Sequence, residues 1–182
     1  AEGSIVTSST NFTYLAAGAI AQARPGFGQF KTIVTLGGAD LLGGGTGIVN
    51  VTLGGVHSAD SVVASNNTAV TFVAPRLAPG TYSVELTADS GAQVSAPAVF
   101  VARREGNVTS LSPTSGQRGT RVSVFGNRLR GSGNAVVSAS VGGVSAFVEQ
   151  ESNPLVVIRP TATGALGAPA DVVLVADTGF ID

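Results

Sequence analysis

His57 is the only histidine in a chain of 182 residues that contains no cysteine. A catalytic triad needs a nucleophile and an acid arranged about the imidazole, and a zinc site needs three or four nitrogen or sulfur ligands. No motif supplies either around His57, which follows Gly54-Gly55-Val56 and reads as an exposed turn residue. The run Gly43-Gly44-Gly45-Thr46-Gly47 has the glycine density of a phosphate cradle. A phosphate loop, however, requires Lys and then Ser or Thr directly after its last glycine, with a helix beyond. Here Ile48-Val49-Asn50 opens a strand, so the run is a structural turn. Asp89-Ser90-Gly91 and Asp177-Thr178-Gly179 could each offer one carboxylate to calcium, which takes about six or more oxygens. Asp-x-Gly turns with side chains bonded to backbone account for both. Arg118, Arg121, Arg128 and Arg130 are balanced by acids in the same half of the chain and read as a solvated face. No catalytic residue, metal ligand or cofactor is expected.

Ten Lys and Arg stand against eleven Asp and Glu, a formal charge of −1. Nucleic acid and anionic membranes both demand a basic excess, so neither is an expected partner. No apolar run approaches the ~18 residues of a membrane helix. The stretch 14–23 is apolar but short, and no basic segment precedes it, so it is not a signal peptide either. Four sequons, at Asn11, Asn50, Asn66 and Asn107, are candidate glycosylation sites and favour an extracellular or cell-surface location. Carbohydrate binding usually wants exposed aromatic platforms. The chain has no Trp and only Tyr14 and Tyr82, and Tyr82 shares a strand with Val84 and Leu86, where it is expected to pack inward.

The elements that would position these residues repeat. Pro25 and Pro113 lie 88 positions apart, and at the same spacing Gly28 falls on Gly116, Gln29 on Gln117, Thr32 on Thr120 and Gly38 on Gly126. Leu41 falls on Leu129, Gly43 on Gly131, Gly45 on Gly133, and Gly54-Gly55-Val56 on Gly142-Gly143-Val144. Shared glycines mark shared turns and close approaches, and a period this long is one small domain. Within each copy, apolar residues alternate with small polar ones in β-branched runs bounded by Gly, Pro, Asn or Asp, the pattern of short strands. Strands are expected near 19–24, 31–37, 47–53, 56–63, 69–73, 81–87 and 93–101, and again near 107–112, 120–125, 135–141, 144–150, 155–159 and 170–176. This is an all-β chain of two tandem β-sandwiches. In the strand around Asn50, alternation puts Val49, Val51 and Leu53 on one face, with Asn50 and Thr52 facing solvent. The junction Ala102-Arg103-Arg104-Glu105-Gly106 is too short for a free tether, so the domains are expected to stack end to end.

Pro113, Gly116, Gly119-Thr120, Val122, Val124, Gly126, Leu129, Val141-Gly142-Gly143, Pro160 and Asp177-Thr178-Gly179 together resemble the immunoglobulin-like IPT/TIG family. The same pattern survives in the first copy as Pro25, Gly28, Thr32, Val34, Leu36, Gly38, Leu41, Gly54-Gly55, Pro75 and Asp89-Ser90-Gly91. The resemblance implies an open-faced immunoglobulin-like (E-set type) sandwich. Such domains occur in tandem in cell-surface receptors and bacterial surface proteins, beside carbohydrate-active enzymes, and in Rel-type transcription factors. The chain lacks the cysteines that many receptor copies carry.

The register also runs backwards: Gly3 falls on Gly91, Val6 on Val94, Phe12 on Phe100 and Gly18 on Gly106. Residues 1–18 therefore read as the last strand of a preceding repeat or a donor strand, followed by domain one at 19–104 and domain two at 105–182. Domain two is expected to lack its final strand. Residues 4–14, with Ser4, Val6, Phe12 and Tyr14, are expected to fill that edge in a neighbouring molecule, building a head-to-tail filament. The expected function is a non-catalytic extracellular or cell-surface module for structure and adhesion, whose partner is itself or neighbouring repeats. The alternative is a glycan-binding accessory module of a surface carbohydrate-active protein.

Overall fold

The computed structural model describes residues 3–164 and 167–178. No helix occurs among them. The first unit holds β1 (Ala19–Arg24), β2 (Phe27–Gly28), β3 (Ile33–Ala39), β4 (Ile48–Leu53), β5 (His57–Ser58), β6 (Ser61–Ser65), β7 (Ala69–Val73), β8 (Gly80–Ala88) and β9 (Gln93–Ala102). Two sheets, ordered β1-β3-β7-β6 and β2-β9-β8-β4-β5, enclose Leu36, Val51, Leu53, Phe72, Leu86 and Phe100. All their pairings are antiparallel except β2 with β9, where Phe27 and Gly28 run beside Val101 and Ala102. That two-residue parallel strand has no sequence signal of its own, being too short for any alternation.

The second unit holds β10 (Asn107–Ser112), β11 (Val122–Asn127), β12 (Val136–Val141), β13 (Val144–Glu151), β14 (Leu155–Pro160) and β15 (Val172–Ala176). They form one ladder, β10-β11-β14-β13-β12-β15. The start of β13 pairs with β12 and the remainder with β14, and the register shifts between Val148 and Gln150. The ladder folds over at that strand, since Val124, Val156 and Ile158 share a core with Val136 and Ala139. In the first unit the same segment breaks at 59–60 into β5 and β6, so each half joins its own sheet. One continuous strand at 56–63 was expected there.

Two further expectations need correction. Lys31 adopts φ 67°, so β3 starts at Ile33 rather than at 31. Val49 is 64% exposed, while Ile48, Val51 and Leu53 are buried and Asn50 and Thr52 are half-buried. The register of β4 against β8 slips between Ile48 and Asn50, and a bulge turns the following side chains to the other face. The 88-residue register slips as well. Leu36 pairs with Val70, whereas Val124 pairs with Val156, so the β6–β7 hairpin is two residues out of step with β13–β14.

The shared glycines sit at close backbone approaches. A methyl at Gly38 would run into the carbonyl of Ala19, and one at Gly126 into that of Asn107. These glycines let paired strands close at the same bulge in each copy.

A domain joint and an open sheet edge

The loop that ends in Thr32 builds one side of the joint between the units. The Gln29 amide donates to the Thr32 hydroxyl at 3.0 Å, which turns the Gln29 side chain outward. Its Oε1 accepts the Gly106 amide at 2.8 Å. Nearby, the Ile33 amide donates to the Thr178 carbonyl at 3.1 Å, so the first unit also holds the far end of the second. The hinge is tied from both sides. Arg128 donates through Nε and Nη2 to the Glu105 carbonyl at 3.0 and 2.9 Å, and Arg76 pairs with the Glu105 carboxylate at 2.9 Å. Arg103 stacks 3.7 Å over the Phe27 ring. A cavity of about 180 Å³ remains in the joint between Gln29, Asn107, Arg128 and Thr178.

The outer edge of β15 pairs with no strand among the described residues, whereas its counterpart β8 pairs with β9. A groove of about 460 Å³ opens at the start of β15, between the loop at 113–118 and the segment 167–170, with Leu111, Val122, Val141 and Val172 at its base. Val122, Val141, Val172 and Leu174 are only half-buried, while Val34, Leu53, Val84 and Leu86, their equivalents 88 positions earlier, are fully buried. The difference is β9, whose Val94, Ala96, Phe100 and Ala102 are buried against the first core.

Residues 3–18 belong to no strand. Ser4 is exposed, as are Val6 (94%), Phe12 (80%) and Tyr14 (89%), so this segment does not pack on its own first domain up to Tyr14. Leu15 approaches Gly44. The rings of Phe12 and Tyr14 stand edge to face, 4.9 Å apart.

The sequons lie apart from one another. Asn11 is exposed on the N-terminal segment, Asn66 on the β6–β7 turn and Asn107 at the start of β10, while Asn50 is half-buried in β4. The Asn66 side-chain Oδ1 accepts from the Thr68 and Ala69 amides at 2.8 Å, which shapes that turn.

The candidate chemical groups are tied into loops. His57 is exposed in β5, with its ring centroid 6.1 Å from that of Tyr82. Tyr82 packs against the first core and donates its hydroxyl to the Ala78 carbonyl at 2.9 Å, the tyrosine corner of immunoglobulin-like sandwiches. The second copy has Ala170 at that position.

Asp89 bonds to backbone, as the sequence suggested, but beyond its own turn as well as within it. Its carboxylate accepts from the Thr46 amide at 2.9 Å and from the Thr46 hydroxyl, pinning the glycine-rich loop that leads into the neighbouring strand β4 of the same sheet. Those bonds, the hydroxyl first, hold the Asp89 carboxyl below the usual range. Asp177 repeats the device on the Asn134 amide at 2.9 Å. Gly45 and Gly133 face these carboxylates, where a side chain would collide. Among the described residues no cluster of three metal-ligating side chains occurs.

The arginines form a paired network. Arg130 grips Glu151 through Nε at 2.6 Å and Nη2 at 2.9 Å, while Glu149 receives Arg121 at 2.7 Å and Arg159 at 2.6 Å. The Arg159 bond leads in lowering the Glu149 pKa, and the Arg130 bond does the same for Glu151.

The sequence of residues 21–102 matches the model of the IPT/TIG domain. The first unit belongs to the IPT/TIG family. The second unit repeats this fold, in register through Gly142-Gly143 and shifted by two residues in the hairpin that follows, so the chain carries two immunoglobulin-like sandwiches in tandem. Among solved structures, the full extracellular region of plexin A4, domains 1 to 10, aligns with a TM-score of 0.54 and 16% identity, over 93% of this chain and 15% of that one. A second plexin A4 structure, domains 1 to 8, gives 0.50 and 16% over 91% and 17%. The surface glycan-binding protein SGBP-B from a xyloglucan utilization locus of Bacteroides uniformis aligns over 90% of this chain and 47% of its own, with 15% identity and a TM-score of 0.37. At such identities the likeness to plexin is one of fold, and this chain spans less than a fifth of the plexin chains. No curated protein matches the chain in sequence.

The Gln29 contact with Gly106 was not foreseen from sequence, although Gln29 and Gln117 were already seen to be in register. A polar residue kept beside a glycine at a fixed offset was the available signal.

Proposed function

We propose that this chain is a non-catalytic extracellular or cell-surface module for structure and adhesion, taken from an array of IPT/TIG domains and acting as a stiff two-domain spacer. The joint carries this reading. Gln29, Ile33, Glu105, Arg128 and Thr178 bond the hinge and the facing domain ends, leaving little freedom to bend. The plexin extracellular regions, which share the fold, support the outward location. Small-angle scattering tests stiffness: the reading requires one narrow distance distribution matching two stacked domains, and a broad one removes it. Beads coated with the chain test adhesion by clustering among themselves or on cell surfaces.

One observation favours the glycan-binding alternative. Phe12 and Tyr14 form an exposed edge-to-face aromatic pair of the kind on which sugars stack. Affinity electrophoresis against plant, algal and bacterial polysaccharides decides it, with a uniformly negative result removing it.

A further inference from the structure

We propose that the hinge between the two domains is a binding site for an acidic polysaccharide, whose carboxylate or sulfate groups are taken by Arg103, Arg104 and Arg128. The inference rests on the glycan-binding reading above and adds to it a place and a ligand class.

The distribution of charge leads to it. The chain as a whole carries −1, yet Arg76, Arg103, Arg104 and Arg128, four of its ten Lys and Arg, gather at the hinge. Among the described residues Glu105 is the acid bonded to them, and its carboxylate is taken by Arg76. Arg128 spends two donors on the Glu105 carbonyl, which cancels none of its charge. Arg103, Arg104 and Arg128 therefore meet no carboxylate among the described residues. Like charges held this close repel, and a bound anion relieves the repulsion. Elsewhere in the second domain the arginines are neutralised, Arg130 by Glu151 and both Arg121 and Arg159 by Glu149. Arg24 and Arg118 stand singly, on β1 and in the loop after β10.

The hinge also supplies an apolar floor. Phe27 and Val101 lie side by side, 36% and 40% exposed, on the face opposite the buried Phe100 and Ala102. The Arg103 guanidinium lies 3.7 Å over the Phe27 ring. Stacking fixes its plane and leaves the N–H groups at its rim for a carboxylate or sulfate. Thr81, exposed beside Val101, adds a hydroxyl. Acidic sugars match this combination, with anionic groups for the guanidiniums, C–H faces for Phe27 and Val101, and hydroxyls for Thr81. Nucleic acid bases need an open ring to stack on, and Arg103 covers that of Phe27. Arg103 leaves the first domain and Arg128 belongs to the second, so the bound polymer spans the joint.

Affinity electrophoresis through gels holding polygalacturonate, chondroitin sulfate or neutral dextran is the test. Retardation is expected in an acidic gel and not in dextran, falling as salt rises. The two acidic gels tell whether the site takes carboxylate or sulfate. Arg103→Ser with Arg104→Ser should weaken retention about tenfold or more, since hydrogen bonds between charged groups are strong. Melting should stay unchanged, because both side chains are exposed. Phe27→Leu should weaken retention about threefold by freeing the Arg103 guanidinium. Arg118→Ser is the control and should retain full binding. Equal retardation in dextran, an equal loss in Arg118→Ser, or polyglutamate or duplex DNA bound as tightly would overturn the proposal. Polysaccharide binding that survives the double variant overturns this site alone, whereas no retention by any polysaccharide overturns the glycan reading with it.

Discussion

The Oε1 of Gln29 accepts the amide proton of Gly106 at 2.8 Å, one side chain holding the first residue of the next domain. Gln29→Ala should broaden the scattering distance distribution while leaving each domain's melting temperature nearly unchanged. Unaltered scattering would show that Ile33, Arg128 and Glu105 hold the joint without it.

Gly38 and Gly126 face the carbonyls of Ala19 and Asn107 across a bulged strand pair. Alanine at either position must push the strands apart, at a cost of about 1–3 kcal/mol. Chemical denaturation should show the loss in the mutated domain only, and equal midpoints to the parent would refute the close-approach role.

Tyr82→Phe removes the hydroxyl bond to Ala78 while keeping the ring. The first domain should lose about 1 kcal/mol. The converse change, Ala170→Tyr, places a ring beside Gly142 and tests whether the second domain accepts the corner.

Glu149 and Glu151 have carboxyl pKa values lowered by Arg159 and Arg130. A lowered folded pKa means that their stabilisation is complete above the ordinary glutamate range and is lost as pH falls through the lowered values. The second domain should therefore weaken in acid, and Glu151→Gln should flatten that pH profile. Because these groups are near the surface, salt should reduce the effect. A profile unchanged by Glu151→Gln would assign the acid sensitivity elsewhere.

Much of the fold was legible because alternation and turn glycines are local signals. β1 and β10 lie where the apolar alternation placed them, and the 88-residue register predicted matching turns. What escaped notice depends on neighbours. The bulge exposes Val49 because β4 carries one more residue than β8 between the Ile48–Ala88 and Asn50–Thr87 pairs, and the parallel pair of Phe27 with Val101 is too short to leave a periodicity. Asp89 looked like a residue bonding within its own turn, yet it also reaches Thr46 on the neighbouring strand's loop, a partner 43 positions away.

The β2–β9 pair also has a mechanical meaning. Val101 donates to the Gly26 carbonyl at 2.9 Å and Arg103 to that of Gly28 at 2.7 Å, joining the entry of the first domain to its exit. Tension applied along the chain pulls these two parallel segments in opposite directions, so their bonds resist together in shear rather than opening one after another. The stretch around Gly116 has the sequence of such a clamp but pairs with no strand among the described residues. Pulled along the chain, the first domain should hold until these bonds yield together.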